Sequence, residues 1–269
     1  VAILQATAGR QISLGVDVPP GPPRLGLTGT ELDQITANMI VIGDAFSGDL
    51  GIFAPIAPAH AANLSLNTGG AISQAAGATI TVDTLTGSSV GATTLGEANV
   101  ISTLGNFSAA GFSLTNAAAL NVTGAVDGGS SASLSTSAGD LTISGSITGT
   151  TATLGAAGAI SEAAGGVITA TTLNGTAVNS SSLAGTGNQI QQLGSFSVTG
   201  AGQGLSVLNN RALDVTGPVS VGAGGDIALT TSAGVASTYF QVLSLRERLL
   251  TAQSNVDAAR GLLDVIKAR

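Results

Sequence analysis

Four aspartates, Asp127, Asp140, Asp214 and Asp226, are the side chains of this 269-residue sequence that come nearest to a catalytic set. Two carboxylates flanking a glycosidic bond can hydrolyse it, one as acid and the other as base or nucleophile. These four stand in turn-like surroundings, where Asp bonds locally to backbone. The chain has no tryptophan to stack on a sugar, and Arg211 is the one basic residue between positions 62 and 234 that could grip an acidic one. The four acids therefore read as solvated turn residues. His60, the single histidine, lies in a Pro/Ala stretch of a chain without cysteine. It lacks the partners of a triad or a usual zinc site and reads as a loop residue. Gly200-Ala-Gly-Gln-Gly204 lacks dinucleotide-binding spacing, and Gly224-Gly-Asp226 is too short for a calcium-binding nonapeptide, so both read as turns. Asn-x-Ser/Thr sequons at Asn63, Asn106, Asn121, Asn174 and Asn179 are what a Ser/Thr-rich chain produces by chance. No catalytic, cofactor-binding or metal-ligating residue is assigned, and the expectation is a non-enzymatic protein. A carbohydrate-active enzyme using the turn acids is the enzymatic alternative.

The elements that would position such residues are short and repeated. Gly70-Ala-Ile-Ser-Gln-Ala-Ala-Gly77 returns as Gly158-Ala-Ile-Ser-Glu-Ala-Ala-Gly165, Ile101-Ser-Thr-Leu-Gly-Asn-Phe-Ser108 as Ile190-Gln-Gln-Leu-Gly-Ser-Phe-Ser197, and Leu120-Asn-Val-Thr-Gly-Ala-Val126 as Leu213-Asp-Val-Thr-Gly-Pro-Val219. The order is kept while the offset grows from 88 to 89 to 93 residues, the mark of a duplication that has taken up small insertions. Inside each copy run pieces that alternate apolar and polar, such as Thr79-Ile-Thr-Val82, Phe112-Ser-Leu114, Leu141-Thr-Ile143 and Ile227-Ala-Leu229. Period two predicts strands with one buried face, and none is long enough to make a core alone. Coils of about 20 residues, each of two or three strands stacked about 4.8 Å above the last, meet these constraints. An antiparallel sandwich is the competing arrangement. Hydrophobic residues are 43% of the chain and aromatics 3%, so the core must be built from small side chains, which suits a narrow cylinder.

A net charge of −7 with so little basic surface disfavours nucleic acid. No apolar run approaches the ~18 residues of a membrane-spanning helix. Residues 1–61 are less regular: Gln11-Ile-Ser-Leu14 and Met39-Ile-Val-Ile42 read as strands around a Pro-rich break at 18–23, and Thr28 and Glu31 have capping-box spacing for a short helix.

The order Gly9-Arg-Gln-Ile-Ser-Leu14, Leu27-Thr-Gly-Thr-Glu-Leu-Asp-Gln-Ile35, Ile40-Val-Ile-Gly43, and then repeated Leu-x-Val-Thr-Gly and Gly-Ala-Ile-Ser phrases resembles the interior repeats of filamentous-haemagglutinin-like exoproteins over about residues 1–234. That resemblance implies a right-handed parallel β-helix, export to the surface or surroundings of a Gram-negative bacterium, and adhesion to a glycan or protein receptor.

Beyond Gly234 the composition changes. Val242, Leu245, Leu249, Ala252, Val256, Ala259, Leu263 and Ile266 recur at alternating steps of three and four, a heptad seam on an amphipathic α-helix over 235–269. Val235-Ala-Ser-Thr-Tyr-Phe-Gln-Val-Leu-Ser-Leu-Arg-Glu-Arg-Leu249 resembles one helix of TolC-like outer-membrane efflux factors. The seam would either cap the solenoid or drive self-association. The expected fold is thus mainly β: irregular N-terminal coils over 1–61, a β-solenoid of two duplicated blocks over 62–234, and the C-terminal helix. The expected function is an adhesin rod serving as spacer or binding surface, with an oligomerising component of an outer-membrane assembly as the alternative.

Overall fold

The computed structural model describes residues 1–17 and 24–231 and, beyond them, Gln253, Val256 and Arg260. Every strand pairing among these residues is parallel, which excludes the antiparallel sandwich, and the strands wind into a β-solenoid of about nine turns. The coil step is read from one ladder, in which Phe112, Ala132, Ala152, Leu173 and Leu193 lie in register on successive turns. A second ladder carries Leu120, Leu141, Ile160, Ser181, Leu205 and Ile227. A third carries Phe107, Val126, Ile147 and Ile168. Alternation does what period two requires. In Phe112–Asn116 the residues Phe112, Leu114 and Asn116 are buried while Ser113 and Thr115 face outward.

The core is a continuous column of Ile, Leu, Val and Ala with three buried phenylalanines, Phe107, Phe112 and Phe196. Room for two of these rings comes from glycine. Gly87 is in register with Phe107 and Gly175 with Phe196, and a Cβ at either glycine would collide with the ring on the next turn. The repeated Leu-Gly-x-Phe-Ser phrase is therefore half of a two-turn packing unit whose other half is a glycine about 20 residues earlier.

Buried asparagines fasten the corners. Asn116 accepts the Ile101 N–H at 2.9 Å and donates to the Ile101 carbonyl at 2.9 Å. Asn209 does the same to Ile190, at 2.9 and 2.8 Å. Asn99 and Asn188 accept from the N–H groups of Ile80 and Ile168. All four side chains are fully buried. Each amide takes the place of a rung where the chain turns and pairs backbone groups that would otherwise lack that partner.

The duplication has an unexpected geometry. Ile72 of the first Gly-Ala-Ile-Ser phrase lies in the ladder of Phe112, through Thr93, whereas Ile160 of the second lies in the ladder of Leu120. The second copy is therefore displaced by four turns and one face, and equivalent residues look out from different sides of the rod. The phrase itself is explained by an anchor from the turn before. Asp49 Oδ1 accepts from Ala71 N at 2.9 Å, and Asp140 Oδ1 from Ala159 N at 2.7 Å. The glycine preceding each alanine is needed because a Cβ there would strike that carboxylate.

At the N-terminal end, strand Arg24–Thr28 pairs with strand Gln11–Gly15 and leads into the helix Gly29–Asp33. Thr28 and Glu31 form the capping box, and Leu32 is fully buried against the first coils, so the helix closes the end of the core. At the other end, Val215, Val219, Val221 and Leu229 are only partly buried and Ile227 is 40% exposed, because no described strand lies beyond them.

Candidate functional site

The solenoid does not bring the four turn acids together. Asp127 ends the short strand Ala125–Asp127, its Oδ1 accepting from Gly129 N at 2.9 Å in a local turn. Asp140 is occupied by the Ala159 anchor. Asp226 precedes the same ladder as Asp140 but four turns along, about 19 Å at ~4.8 Å per turn. Asp214 sits in register with Gln192 on another face. A glycosidase pair requires carboxyls about 5–9.5 Å apart. Among the described residues, no group of three His, Cys, Asp or Glu side chains gathers where a metal ion could be held.

His60 is in a loop, and the loop forms one wall of an open groove of about 570 Å³. Backbone and side-chain bonds fix that wall: Ala37 N donates to the His60 carbonyl at 3.1 Å, and Ala59 N donates to Asp33 Oδ1 at 2.9 Å. Asn63 Nδ2 donates to the Asn38 carbonyl at 2.7 Å, and Asp83 N to the Ala62 carbonyl at 2.8 Å. His60, Asp83, Asn38, Thr81 and Ser102 offer an imidazole, a carboxylate, an amide and two hydroxyls to the groove, while Pro58 and the 43%-exposed Val100 offer an apolar patch. The volume is that of a small-ligand site. Its lining is hydrogen-bonding, with Asp83 the one carboxylate. No sequence motif marks this groove, since its walls come from segments about 20 residues apart that meet only through coil stacking.

Two carboxyls depart from ordinary behaviour. Asp44 is held below the usual carboxylate range, chiefly by the Phe46 N–H at 2.9 Å, with Gln5 and Ser47 assisting. Glu162 is pushed up by burial, against the opposing pull of Asn188 and Gly185. The sequence reading passed over both.

Of the sequon asparagines, Asn106 Oδ1 accepts from Ala125 N at 2.9 Å and Asn174 Oδ1 from Ser195 N at 3.0 Å, so both are structural on the outer face. The heptad seam lies outside the described residues apart from Val256, which is helical and 45% exposed. Among the described residues no helix is long and apolar enough to cross a membrane. The chain matches no protein-family profile, no curated protein and no solved structure.

Proposed function

We propose that this chain is part of a non-enzymatic bacterial adhesin, secreted or held at the surface of a Gram-negative cell, in which a right-handed β-solenoid serves as a rod and carries a lateral binding surface. The observation that supports it best is an outward column on eight successive turns, Asn63, Thr84, Thr103, Asn121, Thr142, Ser161, Ser182 and Ser206, each a hydroxyl or amide without charge, bounded by Met39 and Ala228. Such a face resists collapse against other proteins and can still hydrogen-bond a saccharide or peptide. The groove beside His60 and Asp83 has the volume to hold one sugar unit, its Val100 and Pro58 surfaces meeting the C–H face of the ring and Asn38, Thr81 and Asp83 its hydroxyls. Handedness follows from the strong preference of parallel crossover connections.

The seam expected over 235–269, Val242, Leu245, Leu249, Ala252, Val256, Ala259, Leu263 and Ile266, lies outside the described residues apart from Val256, and its two readings are a cap on the rod and a self-associating helix. Leu249→Asp with Val256→Asp separates them. A monomer that loses thermal stability supports the cap, and an oligomer that dissociates points to the bundle of an outer-membrane assembly.

For the binding surface, the full chain is screened on neutral and acidic glycans. Binding of a neutral glycan that drops at least tenfold in Asp83→Ala and Asn38→Ala, with unchanged circular dichroism, supports the groove. Turnover of any glycan that disappears in Asp140→Ala or Asp214→Ala would overturn the non-enzymatic reading.

A further inference from the structure

The two copies of the Gly-Ala-Ile-Ser phrase differ at one functional atom. In the first, every polar atom of the Gln74 amide is served. Its Nε2 donates to the Ala78 carbonyl at 2.8 Å and to Asn99 Oδ1 at 2.7 Å, and its Oε1 accepts from Asn99 Nδ2 and Glu97 N, each at 3.2 Å. In the second, Glu162 occupies the equivalent place. Its Oε2 accepts from Gly185 N at 2.6 Å and Asn188 Nδ2 at 2.8 Å, while its Oε1 is buried and has no hydrogen-bond partner. A carboxylate in that place has nothing to balance it. From position 141 to position 210 Glu162 is the only ionisable side chain. The strands packed on its own, Leu141–Ile143, Ser181–Leu183 and Ser146–Ala156, are all uncharged, as is the turn 184–188 that covers it. The nearest acid in the chain, Asp140, is engaged by Ala159 N.

We propose that Glu162 is a proton-operated latch on the turn 184–188. Protonated, it is a neutral stand-in for the Gln74 amide and the turn stays closed over it. Ionised, its buried Oε1 can gain water only if the turn lifts, and with the turn goes Asn188, which bonds Ile168 N on its own side and the Leu208 carbonyl on the next turn of the rod. Gly185 and Asn188 donate to Oε2 in either state, so they oppose the opening without abolishing it. Burial raises the carboxyl above its ordinary value of 4.5. The folded state therefore keeps the proton to higher pH than the open or unfolded chain. The stability of the closed turn is fully present below that ordinary value and is lost as pH rises toward the folded value. The first copy has Gln74 in that place and lacks this carboxyl; the ionisable group on its turn is Glu97, whose exposed carboxylate accepts from Gly77 N at 2.9 Å.

Hydrogen–deuterium exchange of the full chain, corrected for the intrinsic pH effect, tests this. Protection of the Gly185 and Ile168 amides in the native protein should fall, by at most about tenfold per pH unit, between the ordinary glutamate value and the raised folded one and level off above it, while that of Ile80 does not follow this profile. Glu162→Gln should level the second copy, and Gln74→Glu should impose the slope on Ile80. A native protein with level protection at Gly185, or a slope that survives in Glu162→Gln, overturns the latch. Should that variant not fold, carbon-detected titration of the native Glu162 carboxyl decides instead, and an ordinary glutamate value rejects the proposal.

Discussion

The two copies of the duplicated block share their main fastenings and differ in where they place a carboxyl, Glu97 in the first and Glu162 in the second. Both use an inward asparagine to hold an isoleucine rung from below, Asn116 on Ile101 and Asn209 on Ile190. Both seat a phenylalanine over a glycine, and both anchor Gly-Ala-Ile-Ser to an aspartate on the previous turn. One difference is the half-buried polar group beneath Asn99 or Asn188, an amide in Gln74 and a carboxyl in Glu162. The comparison teaches that packing in a solenoid is local enough to be copied whole, even turned by one face, because each turn meets only its neighbours. Charge is less portable. A carboxyl in the same place needs a proton or a cation, and the neighbouring turns provide no cation.

The sharpest break in the equivalence would come from the asparagines. Asn116→Leu leaves the Ile101 N–H and carbonyl buried and unpaired, at a cost of roughly 2–5 kcal/mol, and Asn209→Leu should cost about the same at Ile190. Urea denaturation of the two variants measures this, and losses that differ by a factor of several would mean the copies are not equivalent. Next come the glycines under the rings. Gly175→Ala and Gly87→Ala should each destabilise by about 1–3 kcal/mol through overpacking, and Phe196→Leu combined with Gly175→Ala should recover part of the loss.

Removing an anchor is milder. Asp140→Ala or Asp49→Ala strips one charge-assisted bond from an alanine N–H and should cost about 1–2 kcal/mol, seen as faster exchange of Ala159 or Ala71. The smallest effect is expected at Asp44, which lies outside the copies and serves as their contrast. Its carboxyl is held low by Phe46 N, so its contribution is present above the unfolded value and fades as pH falls through the lower folded one. Exchange of the Phe46 amide should therefore quicken in acid, opposite in sign to the dependence at Gly185, and Asp44→Asn should remove it.

Much of the fold was legible. Alternation at Phe112, Leu114, Leu141 and Ile143 marks the inward residues correctly, because a strand with one buried face has no other period. The alternation also places Asn116 and Asn209 on the inward phase, where a polar side chain is not expected in an apolar core. The reason to keep it inside, a rung fifteen to nineteen residues earlier that lacks a partner, exists only after stacking. The Gln74/Glu162 exchange is visible in the sequence as one letter in a repeated phrase, but its burial is not. The groove was missed for a related reason, since His60, Asp83 and Ser102 become neighbours only through coil register, and nothing in their local sequence differs from other loop and outward positions.

The sequence by itself determined that this chain would be built of short strands with one buried face around a narrow aliphatic core, with a parallel stack favoured over an antiparallel sandwich. Repeated alternating pieces, each too short to bury itself and joined by links too short for crossover helices, favour that solution strongly. Only the tertiary structure decided the register. Coil lengths vary by a few residues, and each inserted residue is absorbed at a corner, so local patterning cannot say which face a repeat will occupy. Register in turn decided that the second copy is turned by one face, that Glu162 meets Gly185 and Asn188 of the turn 184–188, and that His60 and Asp83 share a groove. These are outcomes of stacking geometry, and no residue carries that information alone.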